Sequence, residues 1–388
     1  MNKLQAAVKS MRLRTLPLST GGVLLGILLA VADYQVNVWV AVLIVLTTVF
    51  LQILSNLSNE LGDVLHGTDT ADRKGPQYGL NGGVLTIGEM KVLIGVFVGL
   101  CIVSGTAMTL LSFGTLWDMT SVLVLLMGAS AIMGAMKYTL GRNPYGYRGL
   151  GDFYVFLFFG LVAVLGGYFV SCHTLFWRLL LPGAAVGCFS VGVLNVNNIR
   201  DMETDAANRV TVAIRLGERN AKIYQTALII LGWLLMLAYC QLRIYSKWHY
   251  LFVLTLPLFV LHIRGVWKRT GKALDPMLPL LVISTFLFCL LAGVGLCLYG
   301  EEVGSPLQPL QESVGAGAGD SQVGLHGDLL FQGEAEPASE EPGSTFNDVF
   351  SDDYSAGNAE EPVRVQARFD GVQGVVQDIG HAAPGDDV

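Results

Sequence analysis

Long apolar runs without any Asp, Glu, Lys or Arg alternate with short polar segments along residues 1–299. A helix needs about 20 apolar residues to cross the roughly 30 Å hydrocarbon core of a bilayer. Runs of this length are too long for strands, so the pattern predicts an all-α, polytopic membrane protein. Nine transmembrane helices are predicted, at about 16–32, 38–58, 92–113, 119–136, 153–171, 179–197, 223–242, 248–263 and 277–299.

The composition agrees with a membrane protein, since 52% of the residues are hydrophobic and only 14% are charged. Of the 24 Lys and Arg residues, 19 lie on the side of the bundle that carries the N-terminus. Positive residues are concentrated in cytoplasmic loops. We therefore predict a cytoplasmic N-terminus, cytoplasmic even-numbered loops and, after nine spans, a C-terminus outside.

The last part of the chain differs in composition from everything before it. Residues 300–388 hold 18 acidic and 2 basic residues, a net charge of −16, whereas residues 1–299 have a net charge of +9. The segment is rich in Gly, Pro, Glu, Asp and Ser and has no sustained periodicity. The sequence thus predicts a transmembrane domain at 1–299 and an acidic, disordered tail at 300–388.

Acidic residues gather at two cytoplasmic helix ends. The first cluster is "NLSNELGDVLHGTDTADRKGP", from Asn56, and the second is "NVNNIRDMETDAANRVTVAIRLGERNAK", from Asn195. If each helix continues past its apolar run, the polar residues of each cluster share one helical face, and the spacing in the two clusters is the same. These residues are Asn56, Asn59 and Asp63 in the first cluster, and Asn198, Asp201 and Asp205 in the second.

One such cluster is well explained as an ordinary solvated helix end, but two clusters facing the same compartment favour a binding site. Carboxylates on one face repel each other unless a positive charge lies between them. Carboxylate and amide oxygens suit a hard divalent cation, above all Mg²⁺. Two clusters would fit metal ions that clamp a diphosphate.

Basic residues follow both clusters and would stabilise a diphosphate, although the positive-inside rule also explains them. They are Arg73 and Lys74 after the first cluster, Arg209 and Arg215 after the second, and Lys137, Arg142 and Arg148 in the fourth loop. A diphosphate site at the mouth of an apolar bundle suits a polyprenyl diphosphate. Glycines in the fifth and sixth spans would leave room for its tail, or would serve close helix packing.

Together these motifs resemble the UbiA superfamily of intramembrane prenyltransferases, over about residues 1–299. In "SNLSNELGDVLHGTDTADRKGP" the first motif of that family matches Asn59, Asp63 and Asp69. The second, NxxDxxxD, matches "NVNNIRDMETD". The loop "YTLGRNPYGYRGLGD" is similar to the branch that prenylates 1,4-dihydroxy-2-naphthoate. Glu60 departs from the pattern, because many relatives have Asp there.

The resemblance implies a nine-helix bundle around a central cavity. It also implies Mg²⁺-dependent transfer of a polyprenyl group from a polyprenyl diphosphate to 1,4-dihydroxy-2-naphthoate, with loss of CO₂ and diphosphate. The product would be demethylmenaquinol, in menaquinone biosynthesis at the bacterial cytoplasmic membrane. The expected partners are these two substrates and the lipid bilayer, with no nucleic acid and no protein partner indicated.

The resemblance and the residue patterns assign roles to particular positions. The expected metal ligands are Asn59, Asp63, Asp69, Asn198, Asp201 and Asp205. The expected catalytic residues are Asp63, Asp201, Lys137, Tyr138 and Asp152, the last of which would orient the acceptor. The expected substrate-binding residues are Asn56, Arg73, Lys74, Asn195, Arg209 and Arg215.

Two alternatives stay open at this point. Another aromatic acceptor, 4-hydroxybenzoate or homogentisate, would use the same motifs. A cation-coupled transporter would also carry polar groups and an internal repeat. Transporter acids lie near the bilayer centre, whereas the acids here lie at the cytoplasmic helix ends, which favours the enzyme.

Overall fold

A computed structural model describes residues 2–67, 78–206, 209–243 and 246–303. Across this part of the chain nine helices are long and apolar enough to cross a membrane. The predicted all-α membrane bundle is thereby confirmed, and the protein is an integral membrane protein. The helices are Leu16–Asp33, Val38–Leu65, Ile87–Phe113, Met119–Lys137, Gly151–Cys172, Leu180–Arg200, Val212–Gln241, Lys247–Lys268 and Met277–Val303, numbered here as spans 1 to 9.

Some spans are longer than their apolar runs because polar residues cap or extend them. Span 3 begins at Ile87 because Thr86 and Glu89 form a capping box, in which each side chain bonds the other's backbone N–H. Span 7 begins at Val212, where Thr211 Oγ1 accepts a hydrogen bond from the N–H of Ile214. A short amphipathic helix, Lys3–Ser10, precedes span 1.

The two acidic clusters lie on differently shaped helix ends. Span 2 continues to Leu65, so Asn56, Asn59 and Asp63 of the first cluster lie on one continuous helix, as predicted. Span 6 ends at Arg200, and Asp201 has non-helical angles, φ −97° and ψ 7°. A separate short helix, Met202–Asp205, follows. The prediction that the second cluster continues one regular helix is therefore wrong at Asp201.

Close packing between spans 5 and 6 depends on glycine. Span 5 contains a π-helical segment, Phe156–Val162. A Cβ atom on Gly160 would lie 2.5 Å from Gly187 Cα and 2.6 Å from the carbonyl oxygen of Gly183. These three glycines therefore allow the two helices to touch and do not leave room for a lipid tail. Other glycines of span 5 do line a cavity, as described below.

At the end of the bundle opposite the acidic motifs, an ion pair joins span 1 to the segment after span 7. Both terminal nitrogens of Arg243 donate to the Asp33 carboxylate, and one of them also donates to the Tyr239 hydroxyl at 3.1 Å. The hydroxyl of Tyr168, on span 5, donates to Asp33 at 3.5 Å. This cluster links spans 1, 5 and 7 at that end of the bundle.

Residues 304–388 lie outside the described residues, as do 68–77, 207–208 and 244–245. The domain boundary at 299/300 and the disorder of the tail therefore remain predictions from composition.

Candidate active site

A cavity of about 330 Å³ lies among spans 1, 2, 4 and 5. Its polar end is lined by Asn59 and Tyr138, and its other end by apolar side chains such as Ile44, Met108 and Val170. Ile44 and Asn59 are 15 residues apart on span 2, which corresponds to about 22 Å along the helix. A long apolar cavity with one polar end suits a ligand with a polar head and a hydrocarbon tail.

Aromatic rings form one wall of the cavity near its polar end. The rings of Tyr145 and Tyr154 are 3.9 Å apart between centroids, and those of Tyr154 and Phe158 are 6.3 Å apart and nearly parallel. The Tyr138 ring meets Tyr145 edge-on at 5.4 Å. Of these four residues, only Tyr138 is a site residue expected from the sequence.

The first acidic motif faces the polar end of the cavity. The Asn59 amide oxygen accepts a hydrogen bond from the Thr139 hydroxyl at 3.3 Å. Asp63 is buried, and its Oδ1 accepts a hydrogen bond from the Tyr147 hydroxyl at 2.7 Å. Asp69, Arg73 and Lys74 lie outside the described residues, so their predicted roles stay predictions.

Glu60, the residue that departs from the family pattern, binds a backbone turn. Its Oε1 accepts hydrogen bonds from the N–H groups of Leu80, at 2.7 Å, and Asn81, at 3.2 Å. The side chain is fully buried, and it does not line the cavity. Its described contacts therefore serve to anchor the segment that leads into span 3.

In the second motif, Asp205 pairs with Arg209 at 2.7 Å. Burial opposes the positive charge of Arg209, but Asp205 and, less strongly, Asp63 outweigh this effect and raise the pKa of the guanidinium above its ordinary value. The guanidinium also lies over the Tyr147 ring, 5.8 Å from its centroid. The structure thus brings Asp63 and the Asp205–Arg209 pair together around Tyr147.

Asp201 is fully buried and held by its neighbour Arg200. Arg200 Nε donates to one carboxylate oxygen at 2.8 Å, and Nη2 donates to the other at 2.6 Å. The same guanidinium donates to Asn197 at 2.8 Å and to Asp275, in the loop before span 9, at 2.9 Å. No sequence pattern indicates a role for Arg200 or Asp275, because only the fold brings that loop beside the second motif.

Tyr138 separates the cavity from a smaller polar recess lined by Asp152, Asn198 and Arg209. Burial raises the pKa of Tyr138 to about 12; Arg209 opposes this shift, and Asp152, Asp63 and Asp205 add to it. Its hydroxyl is therefore protonated at neutral pH and can donate a hydrogen bond. Asp152 accepts a hydrogen bond from Tyr224 at 3.1 Å, which fixes its carboxylate beside the recess.

Two predicted substrate-binding asparagines have structural contacts. The Asn56 amide nitrogen donates to the Met11 carbonyl at 2.8 Å, which ties span 2 to the N-terminal segment, although Asn56 also lines the cavity. The Asn195 amide nitrogen donates to Ala221 and Gln225, both at 2.9 Å, and joins spans 6 and 7. Asn195 does not line the cavity or the recess.

Two basic residues predicted to belong to the site, Lys137 and Arg215, are exposed at the end of the bundle that carries the acidic motifs. Arg215 packs beside Gly149, where a Cβ atom would lie 3.4 Å from the guanidinium. Neither side chain lines the cavity or the recess.

The polar end of the cavity, lined by Asn59 and Tyr138, is called the mouth below. The oxygen donors at the mouth fit Mg²⁺. Asn59 lines the cavity and Asn198 lines the recess on the other side of Tyr138, with Asp63 and Asp205 nearby. Among the described residues no three His, Cys, Asp or Glu side chains are grouped closely enough to hold a metal ion. Mg²⁺ does not need such a group, because it often binds one or two carboxylates and completes its shell with water and phosphate.

Comparison with known proteins gives the class to which this fold and site belong. The family model described as "UbiA prenyltransferase family" matches residues 20–290. The chain therefore belongs to the UbiA prenyltransferase family, as its motifs suggested, and it is a membrane-bound prenyltransferase.

The names of individual relatives indicate a more specific activity than the family model does. The chain is 40% identical over 301 residues to 1,4-dihydroxy-2-naphthoate octaprenyltransferase of Escherichia coli, which covers 77% of this chain and 97% of that protein. It is 36% identical over 298 residues to the enzyme of the same name from Haemophilus influenzae, covering 76% and 96%.

Solved structures confirm the fold. An apo UbiA homologue from Aeropyrum pernix superposes with a TM-score of 0.55 at 18% identity, covering 75% of this chain and 97% of that one. A UbiA homologue from Archaeoglobus fulgidus bound to DMAPP and Mg²⁺ gives a TM-score of 0.53 at 16% identity, covering 74% and 99%.

Proposed function

We propose that the protein transfers a polyprenyl group from a polyprenyl diphosphate to 1,4-dihydroxy-2-naphthoate. CO₂ and diphosphate are released, and demethylmenaquinol is formed for menaquinone biosynthesis. The names of the bacterial relatives support this acceptor. The observation that carries the proposal is the long apolar cavity whose polar end is lined by Tyr138 and by Asn59 of the first motif, with Asp63 and Asp205 near Tyr138.

In this proposal the diphosphate head lies at the mouth and the prenyl tail extends toward Ile44 and Met108. Mg²⁺ would be held by Asn59, Asp63, Asp69, Asn198, Asp201 and Asp205, and when bound it neutralises charge on the departing diphosphate. The Archaeoglobus fulgidus homologue bound to DMAPP and Mg²⁺ supports such a metal by analogy. Asp201 can take part because each carboxylate oxygen has a lone pair beyond the one that Arg200 uses.

The chain's own groups supply the rest of the chemistry. Arg209 lies at the mouth with its charge retained, so it opposes the negative charge that grows on the diphosphate as the allylic C–O bond breaks. The protonated Tyr138 hydroxyl donates toward the same group. The ring wall of Tyr145 and Tyr154 keeps water from the allylic cation.

Other residues would bind the two substrates from the sides. Asp152, fixed by Tyr224, lies in the recess where it can orient a hydroxyl of the aromatic acceptor. Arg73 and Lys74 are proposed as further phosphate contacts. The exposed Lys137 and Arg215 are assigned to attracting the anionic substrates to the mouth.

We further propose that the enzyme resides in a bacterial cytoplasmic membrane with its N-terminus and site in the cytoplasm. The distribution of Lys and Arg supports this orientation, since 19 of 24 lie on that side. Water-soluble dihydroxynaphthoate would then enter from the cytoplasm and the prenyl donor from the lipid.

The test is product analysis with purified protein. One polyprenyl diphosphate is offered separately with 1,4-dihydroxy-2-naphthoate, 4-hydroxybenzoate and homogentisate, and the products are identified by mass spectrometry. We expect a decarboxylated, prenylated naphthoquinol from the first acceptor. Product formed only from another acceptor would replace the proposed substrate while leaving the class of enzyme unchanged.

A further inference from the structure

Tyr147 contacts Asp63 of the first acidic motif and Arg209, the ion-pair partner of Asp205 in the second motif, although it belongs to neither motif. It lies in a short 3₁₀ helix, Tyr145–Tyr147, in the loop between spans 4 and 5. Its hydroxyl donates to Asp63 of the first motif at 2.7 Å. Its ring faces the guanidinium of Arg209, 5.8 Å from the ring centroid.

The backbone holds this loop against the second motif as well. The carbonyl oxygen of Tyr147 accepts a hydrogen bond from the N–H of Val210 at 3.0 Å, and Arg148 forms a parallel bridge with Val210. Val210 follows Arg209 directly. The position of the Tyr147 ring relative to Arg209 is therefore set by backbone pairing as well as by the side chains.

A continuous path of contacts results, from Asp63 through Tyr147 and Arg209 to Asp205. The ends of this path are carboxylates from motifs about 140 residues apart in the chain. A hydrogen bond from a hydroxyl fixes the direction of a carboxylate, and partners of this kind typically change metal affinity or activity about 10–100-fold when removed.

We propose that Tyr147 is a positioning residue that sets the Asp63 carboxylate relative to the Arg209–Asp205 pair. The hydroxyl orients Asp63, and the ring supports Arg209. Tyr147 thereby fixes the separation of the two halves of the cation site. This inference rests on the proposed function, because it concerns the same site.

The test compares Tyr147→Phe with a matched variant at the other end of the bundle. Tyr147→Phe keeps the ring under Arg209 and removes the hydrogen bond to Asp63. Tyr168→Phe removes a tyrosine hydroxyl that donates to Asp33, which is itself paired with Arg243. The second variant therefore loses the same kind of contact, outside the proposed site.

Binding of Mn²⁺ to the full-length purified proteins in detergent would be measured by electron paramagnetic resonance, with turnover measured alongside. We expect Tyr147→Phe to weaken Mn²⁺ binding about tenfold, and Tyr168→Phe to stay within about twofold of the wild type. In an Asp63→Asn background, Tyr147→Phe should produce little further weakening, because the hydroxyl acts through that carboxylate.

The possible failures are distinguishable. A wild-type protein that neither binds Mn²⁺ nor turns over would contradict the proposed function and this inference with it. Wild-type binding that Tyr147→Phe leaves unchanged would overturn the inference alone. So would a full effect of Tyr147→Phe in the Asp63→Asn background.

Discussion

At the scale of single residues, Asp63 gives the most direct test of the proposed cation site. Its carboxylate is buried and accepts a hydrogen bond from Tyr147. It also interacts electrostatically with Arg209 at the mouth. We predict that Asp63→Ala lowers turnover roughly 100-fold or more while the protein remains folded, because a proposed ligand is lost. EDTA should abolish turnover reversibly.

The control for Asp63→Ala is Asp118→Asn, at the end of the bundle opposite the acidic motifs. Asp118 caps span 4 by accepting from the N–H of Ser121 at 3.3 Å, and asparagine keeps an oxygen that can do the same. Turnover should be assayed for both variants at equal protein level. Full activity of Asp63→Ala, or of the wild type in metal-free buffer, would rule out the proposed mechanism.

Arg200 and Asp275 provide a second prediction. Asp275 is about half-exposed and holds the outer edge of the Arg200 guanidinium, whose other donors bind Asp201. We expect Asp275→Asn to lower turnover about tenfold, because the neutral amide loses the charge of the ion pair that anchors Arg200, and through it Asp201, to the loop before span 9. The measurement is turnover at several Mg²⁺ concentrations, which separates weaker metal binding from slower chemistry.

Glu218→Gln is a suitable control for Asp275→Asn. Glu218 is similarly exposed and also pairs with a buried cation, Lys222, at 2.8 Å, but it has no contact with Asp201. We expect Glu218→Gln to remain within about twofold of the wild type. Equal losses of turnover in both variants would mean that removing the Asp275 ion pair acts through stability and not through Asp201.

The same residues show what the sequence could not reveal. The repulsion between clustered carboxylates indicates that positive charge must be close, but it does not identify the charge. In the structure, Arg200 neutralises Asp201 and Arg209 neutralises Asp205. The repulsion between these carboxylates therefore does not by itself require Mg²⁺. The oxygen-only donor set and the family relationship carry that proposal instead.

At the scale of elements, apolar runs predict where a helix crosses the bilayer but not where it begins. The apolar run of span 7 predicts a start at about residue 223, but the helix begins at Val212. Its first turns carry charged residues and therefore lie outside the apolar run. Gly217, with φ 75°, bends this extension. Span 3 likewise begins five residues early, owing to the capping box formed by Thr86 and Glu89.

Glycines could not be assigned from sequence because close helix packing and an open cavity both favour small residues. Gly160 packs against Gly183 and Gly187, whereas Gly166 and Gly167 line the cavity. Gly167 also approaches the Val23 carbonyl, 2.9 Å from where its Cβ would lie, so it has little freedom to change. Gly166 has only an ordinary contact, 3.7 Å to Met127, and is the better position for a test.

We predict that Gly166→Leu impairs use of long prenyl diphosphates more than short ones. The added side chain would occupy cavity volume where the tail is proposed to lie, while the mouth stays unchanged. Turnover should be compared with geranyl and octaprenyl diphosphates, and we expect the ratio to shift about tenfold toward the short donor, since a few buried methylenes are worth about 1–3 kcal/mol.

Gly95→Leu is the control for this substitution, because Gly95 is on span 3 and its Cβ would meet nothing within 4 Å. It adds the same side chain to a membrane helix outside the cavity. An unchanged ratio in Gly166→Leu, or the same shift in Gly95→Leu, would contradict the placement of the tail.

At the scale of the whole molecule, the site depends on contacts between distant loops. Tyr147 and Val210 pair across the loops that follow spans 4 and 6, and Asp275 reaches Arg200 from the loop that follows span 8. Each motif was readable from the sequence, because its spacing is local. The residues that join the motifs were not, because no local pattern shows which loops meet.

The arrangement of spans predicts the orientation in the membrane. With 19 of 24 Lys and Arg residues on the N-terminal side, a reporter in the loop near Arg142 should read as cytoplasmic, and one placed after Val303 as extracytoplasmic. A reporter that reports the cytoplasm at both positions would mean that the number of membrane crossings is even.

The last prediction concerns the acidic C-terminal segment. It follows span 9 as residues 304–388, which hold 16 acidic and 2 basic residues and have a net charge of −14. If nine spans place it outside, about 30 Å of hydrocarbon separates it from the acidic motifs. A segment with this charge does not cross the bilayer by itself. The family match ends at residue 290, and 301 residues of this chain account for 97% of the Escherichia coli relative. The catalytic unit is therefore expected to lie within the helical domain.

We predict that truncation after Val303 leaves both turnover and Mg²⁺ dependence within about twofold of the full-length enzyme, as is usual when a terminus outside the folded unit is removed. The two proteins should be assayed side by side in the same liposomes, at matched amounts of inserted protein. A large loss of turnover with unchanged insertion would mean that the segment reaches the mouth of the cavity or packs on the bundle. The C-terminus would then have to be placed on the other side of the membrane, or given a contact with the spans.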